Sequence, residues 1–122
     1  MFFENLNIKK AIQYSRLIFK NAYISDTEYD TNKKTSNSNF LSRNELYYCK
    51  IIRLGYVCNI SNEILPFCIF KVYSVVNIHK GVFKVVHDKG LKALNNNDFL
   101  NNHNLCIFQG NIAVKVFKTE SF

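Results

Sequence analysis

Apolar residues in the first half of the chain recur at intervals of three and four, the spacing of one face of an α-helix. This pattern covers residues 5–23 and returns over Arg43–Leu54, after which Gly55 offers a common helix terminus. Residues 25–39 lie between them and are polar and aperiodic, which predicts an exposed loop. The first half of the sequence therefore predicts two helices joined by a long loop.

The second half of the chain has short runs of β-branched and aromatic residues separated by turn residues. After a short predicted strand at Tyr56–Ile60, four strands are predicted, at Ile64–Tyr73, Val75–Val86, Leu105–Phe108 and Ile112–Phe117. His79-Lys80-Gly81 interrupts the second of them, and a weak helix is predicted over Leu91–Leu100. This order of elements predicts an α+β fold of two small subdomains. In residues 1–74 helices pack on a short sheet, and residues 75–122 form a mostly antiparallel β subdomain.

Composition adds a strong positive charge and enough apolar surface for a core. The chain has 122 residues, of which 48% are hydrophobic, and 16 Lys and Arg against nine Asp and Glu give a net charge of +7. A basic excess of this size favours nucleic acid or another anionic partner. Lys and Asn are also abundant in proteins of A/T-rich genomes. The placement of the cations therefore carries more weight than their number.

The four cysteines show neither a CxxC pair nor the spacing of metal ligands, which predicts buried free thiols in a reducing environment. The N-terminal residues lack a basic segment followed by an apolar one, so no signal peptide is predicted. No uncharged apolar run reaches the roughly 18 residues that a membrane span needs. We therefore expect a soluble protein with no membrane partner.

The residues that could support catalysis are scattered along the chain. His79, His87 and His103 have no spacing that pairs them with one another or with a carboxylate, and no nucleotide-binding or nucleophile motif is present. The sequence therefore predicts no catalytic residue, no metal site, no cofactor and no small-molecule substrate. A general acid–base ribonuclease that uses His87 or His103 with Lys84 stays open as an alternative.

Cations and amides near predicted turns are the stronger functional signal. Lys80 and Lys84 lie at the interruption of the second predicted strand, and Gln109–Asn111 forms a polar turn. Arg16 and Lys20 are four residues apart and would share one face of the first predicted helix. Cations in such positions can reach phosphates, while amides can hydrogen-bond exposed bases. The pattern predicts binding to RNA.

Several short segments, taken in order, resemble the eighth small-subunit ribosomal protein family in its bacterial and organellar form. The similar segments are Ser15–Ala22, Ser38–Leu41, Gly55–Val57, Ile69–Tyr73 and His79–Val85. The resemblance weakens beyond Val86. There Gln109–Asn111 stands where the family has a hydroxyl-bearing loop, and nothing matches the family's Gly-Gly-Glu turn.

The resemblance implies a structural constituent of a small ribosomal subunit, in a mitochondrion rather than a plastid, with no enzymatic activity. Its implied partners are the small-subunit ribosomal RNA and neighbouring ribosomal proteins. The candidate RNA-binding residues are Ser15, Arg16, Lys20, Asn21, Ser38, Lys80, Lys84, Gln109, Gly110 and Asn111. Besides the ribonuclease, a small viral or mobile-element protein that binds a protein target stays open as an alternative.

Overall fold

The computed structural model describes residue 3 and residues 6–116, and β-strands dominate them. In chain order the elements are β1 (Ile8–Tyr14), β2 (Arg16–Phe19), β3 (Ala22–Ser25), α1 (Thr27–Lys33), β4 (Asn39–Ser42), β5 (Tyr47–Asn59), β6 (Ile64–His79), β7 (Val82–Asn95), α2 (Asn96–Asn102), β8 (His103–Gln109) and β9 (Ile112–Lys115). The predicted α+β fold with N-terminal helices on a sheet is therefore wrong, because the N-terminal region is built from antiparallel strands.

The first predicted helix, over residues 5–23, is replaced by β1 and a hairpin of β2 and β3. The hairpin turns at Lys20 and Asn21, which both have positive φ, at 48° and 64°. This is the backbone of a two-residue type I′ turn, whose twist matches the strands that it joins. The side chains that the hairpin buries are Leu17, Phe19, Ala22 and Ile24. They alternate with outward-facing ones along each strand, so the true period is two.

The second predicted helix, over Arg43–Leu54, is wrong because most of it belongs to β5. Tyr48, Ile51 and Leu54 are buried at intervals of three residues, a spacing that resembles one face of a helix. The spacing arises because β5 is covered on both faces, and because its register with β6 shifts between Ile51 and Arg53. The predicted loop over residues 25–39 in turn contains α1 and the start of β4.

The predictions for the second half are closer to the structure. β6 contains the first predicted strand and continues without a break to His79, through the first part of the second predicted strand. A turn at Lys80-Gly81 follows, and β7 contains the rest of the second predicted strand and extends it. β8 and β9 lie where strands were predicted, whereas the weak helix begins only at Asn96 because β7 continues to Asn95. The predicted subdomain boundary at residue 74 falls inside β6, which pairs with β7 on both sides of it. The division into two subdomains stays a prediction.

Six strands close into a ring of antiparallel pairs, in the order β5–β4–β8–β9–β7–β6 and back to β5. The buried side chains inside it are Leu41, Tyr48, Phe83, Cys106 and Ala113, and Tyr73, Val75, Val85 and Phe108 pack against them. Every strand of the ring contributes to this cluster, which is therefore its interior core. β1 pairs with the distal half of β5 and extends the sheet beyond the ring.

A second core lies outside the ring, because β4, β5 and β6 direct alternate side chains outward. Phe40, Leu54 and Phe70 belong to this outer core. α2 covers it with Phe99 and Leu100, and the β2–β3 hairpin covers it with Leu17, Phe19, Ala22 and Ile24. One face of the hairpin is thereby fixed against the sheet, and its other face is left towards solvent.

Gly55 allows the ring of Phe67 to lie across β5. A Cβ atom on Gly55 would come within 2.4 Å of the carbonyl oxygen of Ile12 and 2.7 Å of the Phe67 ring. We expect Gly55→Ala to lower the free energy of unfolding by about 2 kcal/mol, because the nearer obstacle is backbone and cannot rotate away. Urea denaturation followed by circular dichroism measures this, and an unchanged midpoint would contradict the packing.

The thiols are free, as predicted. Cys49, Cys68 and Cys106 are buried and Cys58 is half-buried. Burial raises the pKa of Cys49 and of Cys106 to about 12, and it raises the pKa of Cys68 as well. The three buried thiols are therefore protonated at neutral pH and pack as small apolar side chains.

Candidate nucleic-acid interface

The outer face of the β2–β3 hairpin combines a cation with exposed apolar and aromatic groups. Ile18 pairs with Tyr23 and Arg16 pairs with Ser25, so Arg16, Ile18 and Tyr23 share the face opposite the core. Ile18 is 66% exposed and Tyr23 is 52% exposed. A cluster of such side chains in contact with water is typical of a binding surface.

Arg16 is held between two tyrosine rings. Its guanidinium carbon lies 4.3 Å from the centroid of the Tyr23 ring and 5.3 Å from that of Tyr29. Its Nη1 atom also donates a 3.0 Å hydrogen bond to the hydroxyl of Tyr29. Within the part of the chain that the structure describes, no carboxylate pairs with Arg16. The guanidinium plane is thus fixed by aromatic contacts while its charge stays uncompensated.

The tip of the hairpin adds a second cation and an amide. Lys20 and Asn21 form the turn and are exposed, and the Lys20 Nζ atom lies 5.2 Å from the centroid of the Phe19 ring. Ser15 is exposed just before β2, and its carbonyl accepts the amide of Asp26 at 3.0 Å. The structure therefore brings four predicted residues together, on a hairpin instead of a helix. We call Arg16, Ile18, Lys20, Tyr23 and Tyr29 the hairpin surface.

Ser38 is not part of any exposed surface, which corrects the prediction that it faces RNA. Its side chain is 2% exposed, because it packs beside the carboxylate of Asp30. The side chains of Ser25 and Thr35 and the amide of Asn37 donate hydrogen bonds to this carboxylate. Burial raises the pKa of Asp30, but hydrogen bonds from Ser25, Ser38 and Thr35 outweigh this effect and hold it below its usual value. Ser38 stabilises a buried charge.

The remaining candidate residues lie on the far side of the ring from the strands that carry the hairpin. Lys84 pairs with Ile112 beside the turn at Gln109–Asn111, and the carbonyl of Asn111 accepts the amide of Val85 at 2.8 Å. Lys84 and this turn are exposed. Lys80 is exposed on the β6–β7 turn, next to the opposite end of β9. The ten predicted residues therefore form two separate exposed groups, with Ser38 in neither.

A polar cleft lies beside α1. It has a volume of about 290 Å³ and is lined by Thr27, Asp30, Thr31, Thr35, Ser36, Ser38, Asn39, Lys50 and Phe108. The Lys50 Nζ atom lies 5.4 Å from the centroid of the Phe108 ring, and among the described residues it has no hydrogen bond or ion pair. Thr27 and Thr31 are one helical turn apart on the cleft side, whereas Tyr29 points to the opposite side of α1. This short helix therefore separates the hairpin surface from a second uncompensated cation.

No family model, curated protein or solved structure matches this chain. The helices that the ribosomal resemblance implied for residues 15–22 and for the segment ending at Gly55 are strands in the structure. Arg16 and Lys20 are thus exposed on a β-hairpin, where the resemblance implied a helix.

The described residues contain no group of three or more His, Cys, Asp and Glu side chains that could hold a metal ion. His103 packs against α2, with its ring stacked 4.2 Å from that of Phe99 and its Nδ1 atom 2.8 Å from the Phe99 carbonyl oxygen. Burial lowers the pKa of His103, so the neutral ring is favoured. Neither α1 nor α2 is long and apolar enough to cross a membrane.

Sequence reasoning missed Tyr23 and Tyr29, the two rings that hold Arg16. The helical spacing of apolar residues predicted a helix over residues 5–23, and Tyr23 fell at its end. The short apolar run Leu17-Ile18-Phe19 between Arg16 and Lys20 was the available signal for a strand, because such a run fits a strand as well as a helix. Tyr29 carried no such signal, because α1 lies in a segment without apolar periodicity.

Proposed function

We propose that this protein binds single-stranded RNA, with the hairpin surface as a platform for bases. The observation that carries the proposal is the uncompensated guanidinium of Arg16, fixed against the half-exposed ring of Tyr23. Proteins that bind single strands combine rings that stack on bases with cations that follow the phosphates. The net charge of +7 favours the approach of a polyanion.

The positions of the cations support an RNA strand that passes over the hairpin. Lys20 lies at the tip and Arg16 near the base, so both can contact phosphates that flank a base stacked on Tyr23. Asn21 offers an amide for hydrogen bonds to a base edge or to a 2′-hydroxyl. Lys50, on the other side of α1, can contact the phosphates of the next part of the RNA strand. Lys84 and the Gln109–Asn111 turn provide a separate contact on the far side of the ring.

A structural role in an organellar small ribosomal subunit is the finer form of this proposal. It rests on the local sequence resemblance alone, and it predicts binding to structured ribosomal RNA without turnover. Co-sedimentation of the chain with a mitochondrial small subunit through a salt gradient tests it. If the chain dissociates from the small subunit at low salt but still binds a free single-stranded oligonucleotide, the ribosomal proposal fails and the RNA-binding proposal stands.

Tyr23→Ala is expected to weaken the binding of a fluorescently labelled single-stranded RNA by about fivefold or more, because base–aromatic stacking contributes about 1–3 kcal/mol. Tyr23→Phe keeps the ring and should bind like the unaltered protein. Fluorescence anisotropy measures both affinities. The matched control is Tyr47→Ala, since Tyr47 is 43% exposed but lies outside the hairpin surface.

Equal affinities for the Tyr23→Ala and Tyr47→Ala variants would contradict the platform. Arg16→Ala should weaken binding and flatten its salt dependence by about 0.7 in the logarithmic slope, as expected for one lost phosphate contact. Cleavage of the RNA that disappears in a His87→Ala variant would support the ribonuclease instead. A single-stranded DNA of the same sequence measures the contribution of the 2′-hydroxyls.

A further inference from the structure

The second half of β7 has a free edge. β9 pairs with β7 only over Val82–Lys84, and no other strand of the described residues lies on that side of it. Along an antiparallel strand, alternate residues direct their amide and carbonyl groups to each side. Among the described residues, none pairs with the backbone donors and acceptors that Leu91–Asn95 presents on the side away from β6. Such an edge is a template for a further strand.

An apolar cleft follows this edge. Its volume is about 620 Å³, and it is lined by Phe3, Ile69, Leu91, Lys92, Ala93 and Leu94. The register with β6 places Leu91 and Ala93 on one face of β7, and Lys92 and Leu94 on the other. Ile69 of β6 shares the face of Leu91 and Ala93, so the cleft covers that face beside the edge and also touches Lys92 and Leu94. Leu91, at 60% exposed, offers apolar surface next to that edge.

The charges along the edge select between possible occupants. Lys89 and Lys92 are the only charged residues from 89 to 95, and both are exposed. Asp88 is already engaged, because it binds Lys71 at 2.8 Å and accepts the amide of Gly90 at 2.8 Å. Two copies paired edge to edge would bring lysines together with no carboxylate between them, which is unfavourable. A strand that carries carboxylates would instead complement Lys92.

We propose that the free edge of β7 binds an extended peptide segment in which apolar and acidic residues alternate. The apolar side chains would pack on the face of Leu91 and Ala93, and the carboxylates would lie on the face of Lys92, because successive residues of a strand point to opposite faces. The main-chain groups of Leu91–Asn95 provide the hydrogen bonds. This site shares no residue with the hairpin surface and is independent of RNA binding.

The test is an NMR titration of the full chain with an acetylated and amidated peptide of about eight residues that alternates valine and glutamate. We expect amide shifts centred on Leu91–Asn95 and slower hydrogen exchange there. Lys92→Glu should weaken binding about tenfold or more, by reversing an attractive charge. Lys84→Glu is the matched control, since it makes the same charge change on β7 where β9 already covers the edge.

A second peptide, in which valine and lysine alternate, tests the same contact with the charges exchanged. It should bind the Lys92→Glu variant better than the unaltered protein. No binding of the valine–glutamate peptide at millimolar concentration, or equal losses for Lys92→Glu and Lys84→Glu, would overturn the proposal. Sedimentation that shows a dimer abolished by Leu91→Glu would also overturn it, because a second copy would then be the occupant.

Discussion

Phe99→Ala is expected to lower the free energy of unfolding by about 4 kcal/mol. Phe99 is 0% exposed, and its ring centroid lies 4.5 Å from that of Phe70 and 5.2 Å from that of Phe40. Truncation would remove these contacts and leave a cavity between α2 and the outer face of the ring. Since small domains are stable by only about 5–15 kcal/mol, the variant should lose roughly a quarter to four fifths of that stability.

Urea denaturation followed by circular dichroism measures the loss. Phe99→Leu keeps much of the volume and should cost about 1.5 kcal/mol or less. Leu91→Ala is the control for an apolar truncation without a cavity, because Leu91 is 60% exposed, and it should change stability by about 0.5 kcal/mol or less. Similar losses for Phe99→Ala and Leu91→Ala would mean that α2 does not cover the outer core.

The same core links stability to the candidate interface. Ile24 from the hairpin and Phe99 from α2 belong to one buried cluster. A cavity at Phe99 would therefore loosen the support under Arg16 and Tyr23, although neither of them contacts Phe99. The hairpin surface depends on a core that its own two short strands cannot form, because an isolated hairpin is marginally stable at best.

The predictable part of the fold is the part in which each strand carries its own local signal. The first part of β6, from Ile64 to Phe70, is a continuous apolar run, and Gly81, with φ of 72°, marks the turn that follows β6. β8 and β9 flank Gly110, whose φ is 66°. Glycine at turns of positive φ is visible in a sequence. The hairpin turn at Lys20-Asn21 contains no glycine, so its strongest marker was absent and a helix was predicted.

Closure of the ring could not be predicted, because its pairings join distant segments. Phe40 pairs with Leu105, and Phe83 pairs with Ala113. Burial on both sides of the ring wall also hides the period of two in β5, where Tyr48 points into the ring and Cys49 out of it. The candidate cations were found from their charge and from their placement near predicted turns or on a predicted helix face. Their aromatic neighbours depended on the hairpin, which the sequence pattern did not indicate.

Asp30→Asn is expected to lower the free energy of unfolding by about 3 kcal/mol at neutral pH. Asp30 is 8% exposed. Its Oδ1 atom accepts from Thr35 at 2.7 Å and from Ser25, and its Oδ2 atom accepts the amide of Asn37 at 2.9 Å. In an asparagine side chain, an NH2 group would replace one carboxylate oxygen. It would face one of these donors, which would then lose its acceptor. The substitution also removes the charge that strengthens all the hydrogen bonds.

The pH dependence of this effect follows from the direction of the pKa shift. Burial acts to raise the pKa of Asp30, but the hydrogen bonds from Ser25, Ser38, Thr35 and the Asn37 amide together lower it. Its carboxyl is therefore more acidic in the folded chain than in the unfolded one. The resulting stabilisation is fully present above the ordinary carboxyl pKa of about 3.9, and it is lost as the pH falls through the folded value. The difference in the free energy of unfolding between Asp30→Asn and the unaltered protein should therefore shrink as the pH falls below the ordinary carboxyl pKa.

Asp26 is the matched control, because it is a second buried carboxyl at the same helix, with the opposite shift. Burial raises its pKa and outweighs the hydrogen bond from the amide of Tyr29. A carboxyl with a raised pKa favours folding below its ordinary pKa, and this contribution is lost as the pH rises through the folded value. Asp26→Asn should therefore change stability by only about 0.5 kcal/mol at neutral pH, since asparagine caps a helix as well as aspartate does. Equal losses for the two variants in urea denaturation at neutral pH would show that the Asp30 hydrogen bonds do not distinguish these carboxyls.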